Sequence, residues 1–293
     1  MPHIPVLTKE VLENLNPKPN ENFIDGTIGG AGHAVLILEK TGLLGRLLGL
    51  DADKEQVKRA REMVRHYQER VVLVNDSYAN VAEIVKEARF NPVDGLLLDL
   101  GYSSYHVDES GKGFSFQKDE ALDMRFANGE LTAGIIVNTW PEKELQKIIE
   151  EYGEEKFARQ IARGILKQRK IRPIQSTFEL VKVIEEAIPS KFQRGGIHYA
   201  TRTFQALRIA VNDELQNLQK GLEGALQVLV PGGRLVVISF HSLEDRIVKL
   251  FFQEQEKLAM VRILTKKPII ATQNEVLINP RSRSAKLRAI IKL

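Results

Sequence analysis

The stretch Phe23-Ile24-Asp25-Gly26-Thr27-Ile28-Gly29-Gly30-Ala31-Gly32-His33 decides the fold of this 293-residue chain. A short apolar run ends in an acid, and a glycine-rich turn then leads into a helical pattern. Glycines let the backbone pass close to a ligand, and the start of the following helix presents free N–H groups. The order strand, turn and helix predicts the first unit of an α/β sheet that binds a ligand at its edge.

Two acids indicate which ligand this turn receives. Asp25 stands at the entrance of the turn, where a carboxylate would repel the pyrophosphate of a dinucleotide but suits the ammonium and sulfonium of S-adenosylmethionine. Asp51 ends the next apolar run, about 20 residues past the glycines, where a ribose-binding carboxylate is expected. An N-cap of the following helix is the alternative role for Asp51, and Asp53 suits that role better. We therefore expect S-adenosylmethionine as the cofactor.

Apolar runs alternate with helical patterns up to residue 100. Strands are predicted at 22–25, 46–50, 71–74 and 94–99, and helices from about 32, at 54–69 and at 78–89. This alternation is typical of a parallel sheet with helical crossovers. Because parallel strands end at one edge of a sheet, Asp99 at the end of the fourth strand should lie with Asp25 and Asp51.

The alternation then stops, which indicates an insertion. Helical segments are predicted at 142–152, 154–169 and 176–188, without a convincing strand. After them the pattern predicts a helix from Thr201 to about Leu229, a Pro231-Gly232-Gly233 turn, a strand over 234–240, and strand character near 261–264 and 287–291. The predicted fold class is α/β: a sheet domain (1–104 and 201–293) interrupted by an inserted all-helical domain (105–200).

Composition excludes several classes of protein. The chain has no cysteine, which excludes disulfides, thiolate metal sites and thiol nucleophiles, and we predict no metal site. Its first residues do not form a signal peptide and no apolar run approaches the roughly 18 residues of a membrane span, so we expect a soluble cytoplasmic protein without a membrane partner. The formal net charge is +4, and basic clusters at 159–172 and 281–288 suit a polyanion or an ordinary solvated surface.

Further polar side chains suggest contacts with nucleic acid. A polar stripe in the helix after 201 contains Arg202, Gln205, Arg208 and Asn212. Such a stripe usually faces water, but it also suits phosphates and base edges. His241 lies between a strand and a helix at the ligand edge, and capping by Ser242 leaves it unexplained.

Two more features concern the substrate. Arg281 and Arg283 alternate with small hydroxyl residues, as in a phosphate-contact strip or a solvated basic loop. The segment Asp99-Leu100-Gly101-Tyr102-Ser103-Ser104 lies where many amino-group methyltransferases carry an Asp/Asn-Pro-Pro-aromatic turn, although the prolines are missing here. Asp99 can accept hydrogen bonds from a target amine, and the Ser103 hydroxyl can assist. We take Asp99 and Ser103 as the candidate catalytic residues.

Taken together, these segments resemble the bacterial 16S ribosomal RNA cytosine-N4 methyltransferase family (RsmH, formerly MraW) along nearly the whole chain. The matching blocks include His3-Ile4-Pro5-Val6-Leu7, Asp25-Gly26-Thr27, Gly113-Phe114-Ser115-Phe116, Leu122-Asp123-Met124-Arg125, Tyr152-Gly153-Glu154-Glu155, Ala200-Thr201-Arg202-Thr203-Phe204-Gln205-Ala206-Leu207-Arg208-Ile209, Ser239-Phe240-His241-Ser242-Leu243-Glu244-Asp245-Arg246 and Asn279-Pro280-Arg281. Their number and order make coincidence negligible.

The resemblance implies a Rossmann-like class I methyltransferase domain, with the inserted all-helical domain serving substrate recognition. It also implies methyl transfer from S-adenosylmethionine to N4 of a cytosine in the P-site region of 16S ribosomal RNA. The family's cofactor positions correspond to Ala31, Gly32, His33, Asp51, Tyr78, Asp99 and His106. Ala31, Tyr78 and the pair Tyr105-His106 depart from the commoner glycine, phenylalanine and Pro-Gln. The insertion, with Phe114, Phe116 and Arg125, is a candidate clamp for a base presented by folded RNA.

Two other functions stay open at this point. One is an RNA-binding ribosome-assembly factor that retains the cofactor pocket, and the other is a small-molecule methyltransferase that uses the insertion as a lid. The extended basic segments favour RNA over a small substrate. The resemblance favours the assembled small ribosomal subunit as partner, and the oligomeric state stays undetermined, with a homodimer kept open.

Overall fold

The computed structural model describes residues 4–193 and 196–293 of the chain. His3, the first residue of the first matching block, lies outside the described residues. The chain divides into two compact units, Met1–Gly101 with Leu215–Leu293, and Tyr102–Glu214.

Between residues 22 and 100 the helices and strands follow one another in the order that the alternation predicted, and a helix that was not predicted precedes them. Up to residue 100 they are α1 (Thr8–Leu15), β1 (Phe23–Asp25), α2 (Gly32–Lys40), β2 (Leu47–Leu50), α3 (Lys54–Met63), β3 (Val71–Val74), α4 (Val81–Glu87) and β4 (Val93–Asp99). Six helices follow: α5 (Ser104–Asp108), α6 (Ala133–Thr139), α7 (Glu142–Glu151), α8 (Ala158–Ile171), α9 (Thr177–Ala187) and α10 (Thr201–Asn212). The rest is α11 (Glu214–Val228), β5 (Leu229–Ser239), α12 (Ser242–Lys257), β6 (Val261–Ile263), β7 (Ile269–Ile270), α13 (Gln273–Ile278) and β8 (Lys286–Lys292).

The first unit is built on one sheet. Its strand order is β3-β2-β1-β4-β5-β8-β6, with β7 paired to β8. Strands β1 to β5 pair in parallel and β8 runs antiparallel to β5. The order reverses at β1, which lies between β2 and β4, and such a switch point opens a ligand crevice at the carboxyl ends of the strands. This is the Rossmann-like arrangement that the sequence predicted.

Apolar packing on both faces of the sheet explains why these short runs become strands. All positions of β1 and β2 are buried, as expected for parallel strands covered by helices on both sides. The packing is close enough that Gly95 in β4 has no room for a side chain, because a Cβ there would lie 2.3 Å from the Phe23 ring.

The second unit is helical and has a core of its own. Side chains from α6 to α10 form this core, among them Ile136, Leu145, Ile161, Leu180 and Phe204. In the part of Tyr102–Glu214 that the structure describes, one isolated bridge between Ala121 and Ser176 takes the place of strands. The expected helical character of the insertion is therefore confirmed.

The long helix predicted from Thr201 to Leu229 was wrong, because two helices occupy this range. Asp213 adopts a left-handed conformation with φ 49° and ends α10, and α11 starts at the next residue. Phe204 and Leu207 of α10 belong to the core of the second unit. The compact units consequently divide at 101/102 and 214/215, whereas the sequence boundaries were 104/105 and 200/201.

Two other boundaries differ from the sequence expectation. Helix α3 ends at Met63 and continues as a 3₁₀ segment over Arg65–Arg70, instead of reaching residue 69 as an α-helix. The Pro231-Gly232-Gly233 segment forms an irregularity inside β5, because Val93 pairs with Leu229 while Gly95 pairs with Arg234. Within the described residues, no helix is long and apolar enough to cross a bilayer.

Candidate active site

The glycine turn is held in an unusual backbone conformation at the carboxyl edge of the sheet. Gly29 has φ 44° and Ala31, the N-cap of α2, has φ 61°, a region that residues with a Cβ rarely adopt. The Ile28 amide donates to the Leu50 carbonyl at the end of β2, which ties the turn to the sheet. The N–H groups at the start of α2 therefore lie beside the strand ends.

Asp51 fixes this turn from the neighbouring strand. Its Oδ2 accepts a hydrogen bond from the Gly29 amide at 3.0 Å, and its Oδ1 accepts one from the Asp53 amide at 2.9 Å. Asp53 is the N-cap of α3, since its side chain accepts from the Glu55 amide, so capping does not account for Asp51. Each carboxylate oxygen has a second lone pair, so Asp51 can also bind ligand hydroxyl groups.

Asp25 is a buried acid at the end of β1. Its side chain is 1% exposed, and its Oδ1 accepts from the Thr27 amide at 3.2 Å. The pKa of Asp25 is raised from its ordinary value to about 7, because burial raises it most, the hydrogen bonds with Thr27 lower it, and the charge of the nearby Asp51 raises it. Near neutral pH a substantial fraction of this carboxyl therefore holds a proton, and a cationic ligand beside it would favour the charged form.

Asp99 ends β4 next to Asp25 and carries an unused acceptor. Its backbone amide donates to Thr27 Oγ1 at 2.7 Å, and its Oδ2 lies 3.7 Å from His33 Nε2. Its Oδ1 is buried and has no hydrogen-bond partner among the residues that the structure describes. Burial, and then the charges of Asp25 and Glu244, raise the pKa of Asp99 well above its ordinary value. A buried acceptor of this kind is costly unless a ligand satisfies it.

The structure adds two residues that the sequence analysis did not assign to the site. Thr27 bridges Asp25 and Asp99, as described above, and Glu244 is a buried carboxylate whose Oε2 accepts from the Phe240 and His241 amides at 2.8 and 3.3 Å. Thr27 stood inside the quoted glycine stretch, so its position after Asp25 was the available signal.

The capping role expected for Ser242 was wrong. The N-cap of α12 is His241, in a reciprocal capping box with Glu244. Helix capping therefore accounts for a histidine at position 241. Its side chain is 10% exposed, and its Nε2 lies 3.2 Å from Glu244 Oε1. Contact of His241 with RNA stays a prediction.

Tyr78 opens a 3₁₀ turn directly after β3 and packs inside the first unit. Its ring lies against α11, where an ideal Cβ built on Gly221 would be 2.4 Å from the ring Cδ2. The residue is half-buried, so part of the ring stays accessible. Stacking on an adenine ring therefore stays a prediction for Tyr78.

Ser103 and His106 belong to the second unit and contact each other. The His106 Nδ1 accepts from the Ser103 amide at 3.1 Å and lies 3.1 Å from Ser103 Oγ, so the pair closes the first turn of α5. The His106 ring is buried, with the rings of Phe114 and Phe126 at centroid distances of 4.9 and 5.0 Å. A contact of the His106 ring with the cofactor stays a prediction, because the ring already packs against these two phenylalanines.

The polar stripe of α10 mostly holds the second unit together. The Arg208 guanidinium donates two hydrogen bonds of 2.8 Å to Glu214, and its side chain is 9% exposed. Gln205 donates to the Tyr152 carbonyl, and Asn212 accepts from the Phe126 amide. A water-facing or RNA-facing stripe was one interpretation of the sequence, but the structure directs these three side chains inward.

The other arginines that the sequence predicted as RNA contacts are more exposed than Arg208. Arg125 donates to both carboxylate oxygens of Asp123, with its side chain 33% exposed, and Arg202 is 45% exposed. Arg281 and Arg283 are exposed in the 3₁₀ segment Pro280–Ser284.

The charges at the sheet edge fit a cationic ligand. Asp25, Asp51 and Asp99 follow three adjacent strands, and mutual repulsion contributes to the raised pKa of Asp25 and Asp99. A sulfonium and an ammonium relieve this repulsion, whereas a pyrophosphate would increase it. The unused Oδ1 of Asp99 adds a further acceptor to this acidic edge, which suits the cationic groups of S-adenosylmethionine.

Comparisons with known proteins show which family the chain resembles along its length. The model of the MraW methylase family matches residues 1–293. A protein of Heliobacterium mobile named "Ribosomal RNA small subunit methyltransferase H" is 47% identical, covering 99% of this chain and 99% of its own length. One of the same name from Symbiobacterium thermophilum is 46% identical, covering 99% and 96%.

Among solved structures, a putative rRNA-methylase from Clostridium thermocellum is similar at a TM-score of 0.48 and 12% identity, covering 99% of this chain and 97% of that chain. The match to methylases over the full length confirms the expected cofactor, S-adenosylmethionine. The chain belongs to the MraW methylase family.

Proposed function

We propose that this protein transfers a methyl group from S-adenosylmethionine to N4 of a cytosine in the P-site region of 16S ribosomal RNA. The observation that carries the proposal is the buried, unused Oδ1 of Asp99 at the switch point of a methylase fold. The names of the relatives, which specify small-subunit ribosomal RNA, supply the substrate class.

The chemistry of the target explains the need for such an acceptor. The lone pair of a cytosine amine is delocalised into the ring, so the amine is a weak nucleophile. A carboxylate that accepts hydrogen bonds from the amino hydrogens localises this lone pair and orients the nitrogen. Holding two reactants in line supplies roughly 7–11 kcal/mol in favourable cases. We assign this role to Asp99, with Ser103 as a second candidate.

The raised pKa of Asp99 suits it to a further step. A proton acceptor works best when its pKa lies near the working pH. Because burial, Asp25 and Glu244 raise the pKa of Asp99, this carboxylate binds a proton more readily than an exposed aspartate does. Asp99 is therefore our candidate for the group that receives the proton released by N4.

The cofactor, when bound, supplies an electrophilic methyl group on a cationic sulfur. We assign Asp51 to the ribose hydroxyls, Asp25 to the cationic groups, and the turn at Ala31, Gly32 and His33 to close backbone approach. Tyr78 and His106 are the candidates for contacts with the adenine and the remaining part of the cofactor.

Identification of the methylated nucleoside tests the function. The protein is incubated with radiolabelled S-adenosylmethionine and either unmodified small ribosomal subunits or their naked RNA, and the RNA is then digested. We expect the label in N4-methylcytidine, from a cytosine of the P-site region. Label in another nucleoside would refute the N4 assignment. Cofactor binding without any label would instead favour the assembly factor.

A further inference from the structure

We propose that one face of α8 is a docking surface for the phosphate backbone of RNA. The surface, which we call the α8 ridge, consists of Arg159, Arg163, Lys167 and Lys170. The inference rests on the proposed function, since it names where the second unit binds the same substrate.

The spacing of the four cations places them on one side of the helix. They follow one another at intervals of four, four and three residues, which puts them in one row along about 16 Å of helix. All four side chains are exposed, whereas Ala158, Ile161, Ala162 and Ile165 are buried on the opposite side.

The charge pattern differs from that of an ordinary solvated helix. In its 14 residues α8 contains no acid, although exposed helices usually alternate charges of both signs. The neighbouring α7 shows this alternation, with Lys143, Glu144 and Lys147 exposed in turn. Like charges four residues apart destabilise a helix, and Arg159 in the first turn also opposes the helix dipole. Lys170 in the last turn suits the helix dipole, but helix stability does not explain the other three cations of the row.

Most of the row is available to a partner. Arg163 forms an ion pair with Glu142 at 2.9 Å but keeps 56% of its side chain exposed. The structure records no ion pair for Arg159, Lys167 or Lys170 in the part of the chain that it describes. Arg169 is different, because it donates to the Val137 and Trp140 carbonyls at the end of α6. A row of accessible cations about 6 Å apart complements a row of phosphates.

Neutralisation of the ridge provides the test. The full-length triple variant Arg159→Gln, Lys167→Gln, Lys170→Gln is compared with the matched triple variant Lys58→Gln, Lys249→Gln, Lys257→Gln, which removes the same charge from exposed positions of α3 and α12. Binding to naked small-subunit RNA and to assembled subunits is measured from roughly 50 to 200 mM salt, because each phosphate contact contributes about 0.7–0.9 to the slope of log affinity against log salt.

We expect the ridge variant to lose at least about tenfold in RNA affinity and about two units of slope, and the control to lose much less. The melting temperature of the ridge variant should equal or exceed that of wild type, because repulsion between the cations of α8 is relieved. Its affinity for S-adenosylmethionine should not change.

Three outcomes would overturn the proposal. If both variants bind RNA alike while wild type methylates it, the ridge is wrong and the proposed function stands. If the ridge variant loses binding to assembled subunits but not to naked RNA, the partner is an acidic protein surface. If wild type neither binds nor methylates the RNA, the proposed function fails and the ridge fails with it.

Discussion

Nε2 of His33 lies 3.7 Å from Oδ2 of Asp99, and the two side chains are 6% and 18% exposed. His33 comes from the first turn of α2 and Asp99 from the end of β4, so the contact joins the glycine turn to the strand that bears the candidate catalytic acid. With Oδ2 beside His33, Oδ1 has no hydrogen-bond partner among the described residues, and this is the oxygen that we assign to the target amine. Because its two carboxylate oxygens have different surroundings, Asp99 is the most informative position to change.

Asp99→Asn should lower kcat about 100-fold or more, because an amide offers one acceptor fewer and cannot take a proton. Steady-state methylation of small-subunit RNA at saturating cofactor checks this, and urea unfolding should show a fold at least as stable as wild type. The matched control is Asp94→Asn, at the opposite end of the same strand, which should retain activity. Equal kcat in wild type and Asp99→Asn would remove Asp99 from the reaction.

Thr27 should act as a positioning residue for Asp99. Thr27→Val keeps the shape of the side chain but removes the oxygen that accepts from the Asp99 amide at 2.7 Å. We expect kcat to fall about tenfold, since displacements of 1 Å can cost roughly 100-fold, while KM for RNA changes less than twofold. Thr27→Ser, which restores the hydroxyl, should recover most of the rate. Failure of serine to rescue would indicate a packing role instead.

Asp25 should make the stability of the free protein depend on pH. Below its unfolded-state pKa both states hold the proton, and up to its folded-state pKa of about 7 only the folded state does. The stability that protonated Asp25 contributes to the folded state is therefore fully present below about pH 4 and is lost as the pH rises to about 7.

The variant Asp25→Asn has no titrating group at this position, so its stability should not fall with rising pH for this reason. Urea unfolding at pH 5 and 8 should show that the variant gains roughly 2–3 kcal/mol on wild type over that interval, since the two pH units between pH 5 and the pKa of about 7 each correspond to about 1.4 kcal/mol. Parallel pH dependence in the two proteins would contradict a raised pKa at Asp25.

Arg208 should matter for stability more than for RNA binding. Its two 2.8 Å hydrogen bonds to Glu214 lie in a nearly buried pair, and truncation of one partner leaves the other charge unpaired. We expect Arg208→Ala to lower the free energy of unfolding by about 3–5 kcal/mol. The double variant Arg208→Met, Glu214→Leu should regain most of the free energy of unfolding that Arg208→Ala loses. Unchanged stability together with a smaller salt slope for RNA binding would instead make Arg208 a phosphate contact.

Gly221→Ala should displace the ring of Tyr78. In an open helix this change usually stabilises by about 0.5–1 kcal/mol. Here the new Cβ would lie 2.4 Å from Tyr78 Cδ2, so we expect destabilisation by about 1–3 kcal/mol and weaker cofactor binding by calorimetry. Gly164→Ala in α8, whose nearest contact is 3.4 Å, is the control and should not destabilise. Unchanged cofactor affinity in a displaced-ring variant would remove Tyr78 from the site.

Local pattern was sufficient for the part of the site that lies at strand ends. Asp25, Asp51 and Asp99 each follow an apolar run in the sequence, and parallel strands end at one edge whatever the details of packing. The glycine turn, the Asp53 cap and the helical insertion were predictable for the same reason, because each depends on neighbours within a few residues.

Tertiary structure decided the features that depend on partners distant in the chain or on a single backbone angle. The apolar stripe of α10 continues into α11, so periodicity alone did not reveal the break that the left-handed Asp213 makes. Thr27 acquires its role only when β1 lies beside β4, 72 residues later in the chain. Burial depends on the whole fold, so the raised pKa of Asp25 and of Asp99 could be recognised only in the structure.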